Sequence, residues 1–447
     1  MEQWTVAGRG FGILFVFLLL AGEIYTTFTF LGGSGWAYGV GGPAVYILAY
    51  GAMAYALSYF ILPRIWRYAK EHKLISQPDY FEQMFHSKSL SMLVALVGVV
   101  AIIPYLQSQF TGLGLIVEVA SYGAINHVWA MVIGMGVIAV YVTISGVRGS
   151  AWTAVLKDIT ILLVVLIIGI ALPIHVGGLS TMFHKINQLR PGFLTLGGHG
   201  MGLPWFISTV LLTSLGFYMW PHSFGAVYTA KNERVFRRNA TFLPLYQLIL
   251  LFVFFAGFAA ILITPGLKNT NLALMVAVEK VFPAWFVGVV GGAGILTAIV
   301  PGSLMLMTAG TLLAENIYRP LTGASSRQVQ LVARIMVWVV AAITLYFSIN
   351  SNATIVTLLL MGYNFVTQFF PSVLLSLFTR KGVTKAGAAS GIVVGVAFVA
   401  YFTLTSTSIL WGMNTGFIAL LANIVVLLLV SAMSRNSSVT EMEQMQS

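Results

Sequence analysis

Stretches of about 20 apolar residues return twelve times along this chain, and each is long enough to cross the roughly 30 Å hydrocarbon core of a bilayer as a helix. They cover residues 11–32, 42–62, 90–118, 127–146, 152–174, 204–225, 241–264, 285–313, 330–350, 354–378, 387–405 and 415–433. In lipid every backbone polar group must be satisfied internally, so a chain of this kind is all-α and polytopic. Charged residues make up 8% of the 447, against about 25% in a soluble domain. No intervening segment is long and polar enough to be a soluble enzyme, kinase or receptor domain. No cysteine is present, which removes disulfides, thiolate metal sites and thiol catalysis.

The net charge of +11 is explained by where lysine and arginine sit rather than by affinity for nucleic acid. Eighteen of the 23 flank the apolar runs on one side, among them Arg9, Arg64, Arg67, Arg148, Lys231, Arg319, Arg380 and Arg435. Only Lys185, Arg190, Lys268 and Lys280 fall on the other side. The positive-inside rule then places both termini in the cytoplasm and the chain in the cytoplasmic (inner) membrane. The one basic residue left over is Lys157, inside the fifth run. Residues 1–435 read as one transmembrane domain, and the polar tail 436–447 as a disordered cytoplasmic end. Short surface helices are expected near 178–192 and 270–281, and another in the loop 63–89, where Ser76-Gln77-Pro78-Asp79 forms a helix start.

The first span is interrupted. Ala21-Gly22-Glu23-Ile24-Tyr25-Thr26-Thr27-Phe28-Thr29 carries an acid and three threonines at bilayer depth, and Gly32-Gly33-Ser34-Gly35 follows. A lipid-facing helix has no use for these. An acid there marks a functional site by default, and a loosened helix is tolerated only where protein or a water-filled cavity satisfies its backbone. The sixth span holds a second interruption, Gly216-Phe217-Tyr218-Met219-Trp220-Pro221-His222, in which proline removes a backbone hydrogen bond. The two breaks lie five spans apart, so they enter the membrane with opposite polarity. That pattern fits a transporter of two inverted five-helix repeats, 10–174 and 204–378, with peripheral helices over 387–433.

Several segments, in order, resemble the sodium:solute symporter family. They are Trp4-Thr5-Val6-Ala7-Gly8-Arg9, Phe30-Leu31-Gly32-Gly33-Ser34-Gly35, Ala314-Glu315-Asn316-Ile317-Tyr318-Arg319, and Gln368-Phe369-Phe370-Pro371 followed by Gly387-Ala388-Ala389-Ser390-Gly391. The resemblance implies a LeuT-type five-plus-five inverted repeat and cation-coupled solute symport by alternating access. Family members usually carry one more helix before the first core helix, and this chain starts just after its place. The family's second sodium site typically uses first-helix carbonyls, here on Gly22 and Tyr25, with a Ser/Thr pair on the eighth helix. That pair is replaced by Val300 and Pro301. An Asp and a Gln common on the fifth helix correspond to Ala154 and Lys157. The Glu23-Ile24-Tyr25 and Val300-Pro301 patterns resemble the subgroup that moves small monocarboxylates.

Candidate residues follow. Glu23 is a candidate coupling-ion group, with a buried protonated acid between helices as the plainer alternative. Lys157 stands where relatives bind sodium, or else snorkels to the interface with Asp158. Adjacent on a helix, the two side chains point about 100° apart and are not expected to pair. Gly22, Tyr25, Val300 and Pro301 complete the expected coupling region. Thr26, Thr27, Thr29, Gln107, Tyr218, Trp220, His222, Tyr363 and Asn364 are the substrate-binding candidates. Helix–helix hydrogen bonding and, for threonine, bonding to its own backbone are the alternatives for the polar ones. Nothing resembles a metal cluster or a catalytic triad, so no enzyme and no cofactor are expected. The coupling ion is sodium by resemblance, while Lys157 and Val300-Pro301 point to a proton or none. The expected partner is a small organic solute, a monocarboxylate by resemblance, in a lipid bilayer. A channel-like facilitator or a membrane-embedded enzyme remain as other classes.

Overall fold

The computed structural model describes residues 10–22, 24–379 and 382–446. Glu23, the segment Trp4–Arg9, Arg380 and Lys381 lie outside the described residues. Ten single helices are long and apolar enough to cross a bilayer: Gly42–Glu71, Lys88–Ala120, His127–Ile144, Thr153–His175, Arg234–Ile263, Ala284–Thr322, Ser326–Ile349, Ile355–Phe378, Lys385–Leu404 and Thr415–Arg435. Leu203–Met219 and Pro221–Val227 form an eleventh, bent by 56°. The first crossing is split into Ile13–Gly22, a π-helical turn Phe28–Gly33 and Ser34–Gly39. Ten single helices and one bent pair thus qualify among the described residues; with the split first segment counted as span one, they are numbered one to twelve below in chain order.

The backbone stays helical from His127 to His175, yet Tyr141 and Thr153 hydrogen-bond at 2.9 Å across 12 residues. On a straight helix they would stand about 18 Å apart. Spans four and five therefore fold back on each other. Expected surface helices are present at Gln77–Phe85, Leu179–Leu189 and Ala273–Val281. The first begins with a reciprocal Ser76–Asp79 capping box, which satisfies two backbone donors that a helix start otherwise leaves open. One expectation fails: span twelve continues as helix to Gln446, where a disordered tail was expected from Asn436. Ser, Glu, Gln and Met are adequate helix formers, and the preceding apolar helix supplies the nucleus.

Span three is central, lying against spans two-to-three loop helix Gln77–Phe85, span eight, span ten and the span four–five hairpin. Span two packs on span seven, and span eleven on span twelve. Small residues make the contacts of span eleven close: alanine at Gly387 or Gly391 would put Cβ within 2.5 Å of Ser431 or Asn423 on span twelve, and at Gly395 within 2.5 Å of Gln368 on span ten. Such close approach replaces the hydrophobic drive that helices lack in lipid. Gln368 and Asn423 bond across the spans at 2.8 and 3.1 Å. Spans eleven and twelve are joined by a short hairpin, Ile409–Leu410 with Met413–Asn414. Its Asn414 amide bonds Ser208 at 2.9 Å, and its side chain lies 3.4 Å from Thr209, both on the first half of span six.

Candidate functional site

At the first interruption the polar residues satisfy the backbone that the break exposes. Thr29 Oγ1 donates to the Ile24 carbonyl at 2.7 Å and accepts from the Thr26 amide at 3.2 Å. Thr26 Oγ1 accepts from the Phe28 amide at 3.1 Å. These two hydroxyls thus serve their own helix. Thr27 reaches across to span three, with Gln109 Oε1 at 2.9 Å and the Ser108 carbonyl at 3.2 Å.

The carbonyls of Gly22 and Tyr25 point at span five. Lys157 Nζ bonds them at 3.1 and 3.2 Å and lies 3.1 Å from Asp158 Oδ1. Neither side chain snorkels: Lys157 is 0% and Asp158 3% exposed. Pairing between them corrects the expectation from helix geometry, because the lysine stem is long enough to curl back over its neighbour. A glycine is needed opposite: a Cβ on Gly22 would lie 2.9 Å from Nζ. Val300 and Pro301 are buried in span eight and offer no side-chain oxygen. The nearby Ser303 hydroxyl donates to the Val300 carbonyl at 2.7 Å.

The second interruption is built by geometry as much as by proline. Span six is α-helical to Gly216, tightens to a 3₁₀ turn over Phe217–Met219, and becomes extended at Trp220 (ψ 129°) before Pro221 starts the second half. Proline fits there because a first helical position has no amide bond to lose. The Met219 carbonyl left open by the break accepts from Gln77 Nε2 at 2.7 Å. Trp220 is sealed by aromatic rings, with Tyr105 at 4.9 Å and Tyr363 at 5.2 Å. Its indole also covers Gly362, where a Cβ would come within 2.5 Å of the ring. His222 lies 5.8 Å from both Tyr105 and Trp220.

Tyr50 of span two joins the breaks. Its ring contacts Phe28 at 6.5 Å, Phe217 at 6.4 Å and Tyr363 at 5.8 Å. Tyr55 repeats the link, bonding the Leu20 carbonyl at 3.2 Å and packing on Phe217 at 5.6 Å. Tyr50 and Tyr105 are not marked in the sequence. A tyrosine inside an apolar run carries no signal that separates core from cavity.

The other candidates divide. Tyr218, Trp220, His222 and Tyr363 fall in the aromatic group, while Thr27 on span one is bonded to span three. Gln107 turns away and donates to the Phe347 carbonyl at 3.2 Å, bonding span three to span nine. Asn364 lines a separate cavity of about 340 Å³ toward the hairpin end, with Trp36, Trp205 and Thr415. His222 lines a much smaller one of about 40 Å³ toward the end with the basic loops, with Ser76, Thr229 and Thr311. At that basic end Arg67 and Glu233 pair at 2.6 Å, and the guanidinium's hydrogen bond holds the Glu233 carboxyl below the usual carboxylate range. No group of three or more metal-ligating side chains occurs among the described residues.

Two interrupted helices facing each other across a sealed aromatic layer, with a cavity toward either end, define a secondary transporter rather than an enzyme. A family model described as the sodium:solute symporter family matches residues 4–395. The chain belongs to the sodium:solute symporter family, and is a multi-pass, cation-coupled solute symporter. It is 54% identical to an uncharacterized symporter, YhjB of Bacillus subtilis, over 99% of this chain and 94% of that one. It is 25% identical to a monocarboxylate transport permease protein of Rhizobium johnstonii, over 97% and 90%. Its fold is that of a sodium-coupled sialic acid symporter, with TM-score 0.78 at 16% identity, covering 97% of this chain and 92% of that one. Mhp1, another transporter, superposes with TM-score 0.59 at 16% identity, over 96% and 95%.

Proposed function

We propose that this symporter moves a small monocarboxylate across the cytoplasmic membrane with a proton, not sodium, as its coupling ion. The observation that carries the reading is the Lys157 ammonium on the Gly22 and Tyr25 carbonyls. A sodium ion there would need several oxygens to replace its hydration shell, and Val300 and Pro301 supply none from their side chains. It would also face a unit positive charge. Two such charges 4 Å apart repel by about 4 kcal/mol at an effective dielectric of about 20.

On this reading the inverted repeats are 10–174 and 204–378, and both termini lie with the basic loops in the cytoplasm. Rocking of one repeat against the other exposes the aromatic layer to each side in turn. Thr27, Tyr218, Trp220, His222 and Tyr363 then contact the solute. Glu23, beside the break, is a further candidate for coupling. The monocarboxylate assignment is supported by the name of the Rhizobium relative and by the likeness of Glu23-Ile24-Tyr25 and Val300-Pro301 to that subgroup.

Proteoliposomes test the reading. Labelled pyruvate, lactate and acetate are offered with sodium and proton gradients imposed separately. Accumulation is expected with an inward proton gradient and choline in place of sodium. Uptake that stops when choline replaces sodium at constant pH would show the ordinary sodium mechanism instead.

A further inference from the structure

We propose that Asp158 is the group that takes up the coupling proton, while Lys157 remains a fixed ammonium. The inference rests on the proton-coupled reading above and assigns its chemistry to one residue. An ammonium has three donors. Here it hydrogen-bonds the Gly22 and Tyr25 carbonyls at 3.1 and 3.2 Å and has Asp158 Oδ1 at ion-pair distance, 3.1 Å. A neutral amine would leave the buried carboxylate without its counter-ion, and breaking a buried pair in this way is strongly unfavourable. Lys157 is therefore poorly placed to give up its proton.

Asp158 is placed in the opposite way. An ionised carboxylate has about four lone-pair sites to fill. Neither oxygen of Asp158 has a hydrogen bond of good geometry among the described residues; Oδ1 has only the ammonium at ion-pair distance. It is 3% exposed, so water does not fill the remainder. The titratable groups facing it are Lys157 on its own helix, Tyr25 on span one and Tyr246 on span seven, with the Tyr25 hydroxyl committed to the Tyr246 carbonyl at 2.9 Å. A buried acid with unfilled lone pairs gains by accepting a proton.

The charge balance agrees. With Asp158 ionised, the pair is neutral. When a proton from the open aqueous side bonds to a carboxylate oxygen, the pair carries +1 and the ammonium keeps its bonds to the two carbonyls. That is the step in charge which one bound sodium would make at this place. It also matches one monocarboxylate anion, so the loaded carrier gains no net charge from the two ligands. Protonation weakens the ion pair and leaves the ammonium held chiefly by the carbonyls of the first break. The state of one side chain on span five is thereby felt at span one.

The test uses the full-length protein and pyruvate. An inward gradient of one pH unit supports about tenfold accumulation at one proton per anion. Wild type should reach that level, while Asp158→Asn should fall to the equilibrium level and retain counterflow that no longer varies with pH. Tenfold accumulation by Asp158→Asn would overturn the assignment. A wild type driven by sodium alone, or inert toward pyruvate, would instead show that the underlying functional reading fails. A second measurement does not depend on transport or on the asparagine variant folding. Infrared difference spectra of the wild type between alkaline and acid pH should show one buried carboxylic acid C=O band, shifted by Asp158→Glu. A spectrum without that band, or with one that Asp158→Glu leaves in place, overturns the proposal.

Discussion

Alanine at Gly22 sets the first-span helix against the buried ammonium. The new Cβ would lie 2.9 Å from Lys157 Nζ, closer than such contacts allow, so Nζ must move. It is held by three partners at 3.1–3.2 Å, and losing one hydrogen bond to a charged group costs about 1.5–3 kcal/mol. Against this, replacing glycine by alanine in a helix gains up to about 1 kcal/mol. The net expectation is a loss of about 0.5–2 kcal/mol, or roughly 2- to 30-fold in the local opening equilibrium. Hydrogen exchange of the amides of residues 24–30, measured by mass spectrometry in detergent, reads this locally. The same substitution in a Lys157→Ala/Asp158→Asn background, which leaves no unpaired buried charge, meets no atom nearer than the lysine it lost. There exchange should slow by up to about fivefold, the helix-propensity gain alone. The sign therefore reverses between backgrounds. The same sign in both would refute the claim that the ammonium occupies the space beside Gly22.

Three further outcomes are expected. Gln77→Ala removes the bond to the Met219 carbonyl and leaves that buried acceptor open, at a cost of about 1–3 kcal/mol; a cysteine introduced at Thr311, in the chain's cysteine-free background, should then react several-fold faster with thiol reagents from the basic side. Gly362→Ala drives a methyl into the Trp220 ring and toward the Ala101 carbonyl, and overpacking of this kind costs about 1–3 kcal/mol; denaturant-induced loss of tryptophan fluorescence should come earlier, and Gly362→Ala with Trp220→Phe should recover part of the loss. Lys157→Gln with Val300→Ser and Pro301→Thr returns side-chain oxygens and removes the ammonium, so pyruvate uptake should become sodium-dependent; uptake by that variant indifferent to sodium would show that Lys157 does not stand in a sodium position.

The sequence exposes breaks and hides pairings. An acid, threonines and glycines inside an apolar run, and a proline beside tryptophan, mark both interruptions because a lipid-facing helix excludes them. The positions of Lys and Arg mark the ends of the spans for the same reason. Lateral contacts leave no such mark. Gln107 and Gln109 are two residues apart in one helix, and only three-dimensional packing sends one to span nine and the other to Thr27. Lys157 and Asp158 illustrate a further limit, since helix geometry fixes the direction of a Cβ but not where a four-carbon stem ends. Tyr50 and Tyr105 look like ordinary core residues until their neighbours from other spans are known. Thr26 and Thr29 were visible as polar residues, yet their use in holding the broken backbone could not be separated from a role toward solute.

The hairpin between the last two spans has a mechanical consequence. Asn414 grips the first half of span six through Ser208 and Thr209, on one side of the break. On the other side, the Tyr228 hydroxyl just past the second half donates to the Ser76 carbonyl at 3.3 Å, at the start of the helix in the loop between spans two and three. The two arms of span six are thus clamped to different parts of the molecule, and the joint between them is little more than the torsions of Trp220 and Pro221. A small relative movement of the clamps is not spread along the helix. It is concentrated at the joint and turned into rotation there, so the tryptophan behaves as the short end of a lever whose long ends are gripped at the two faces of the protein.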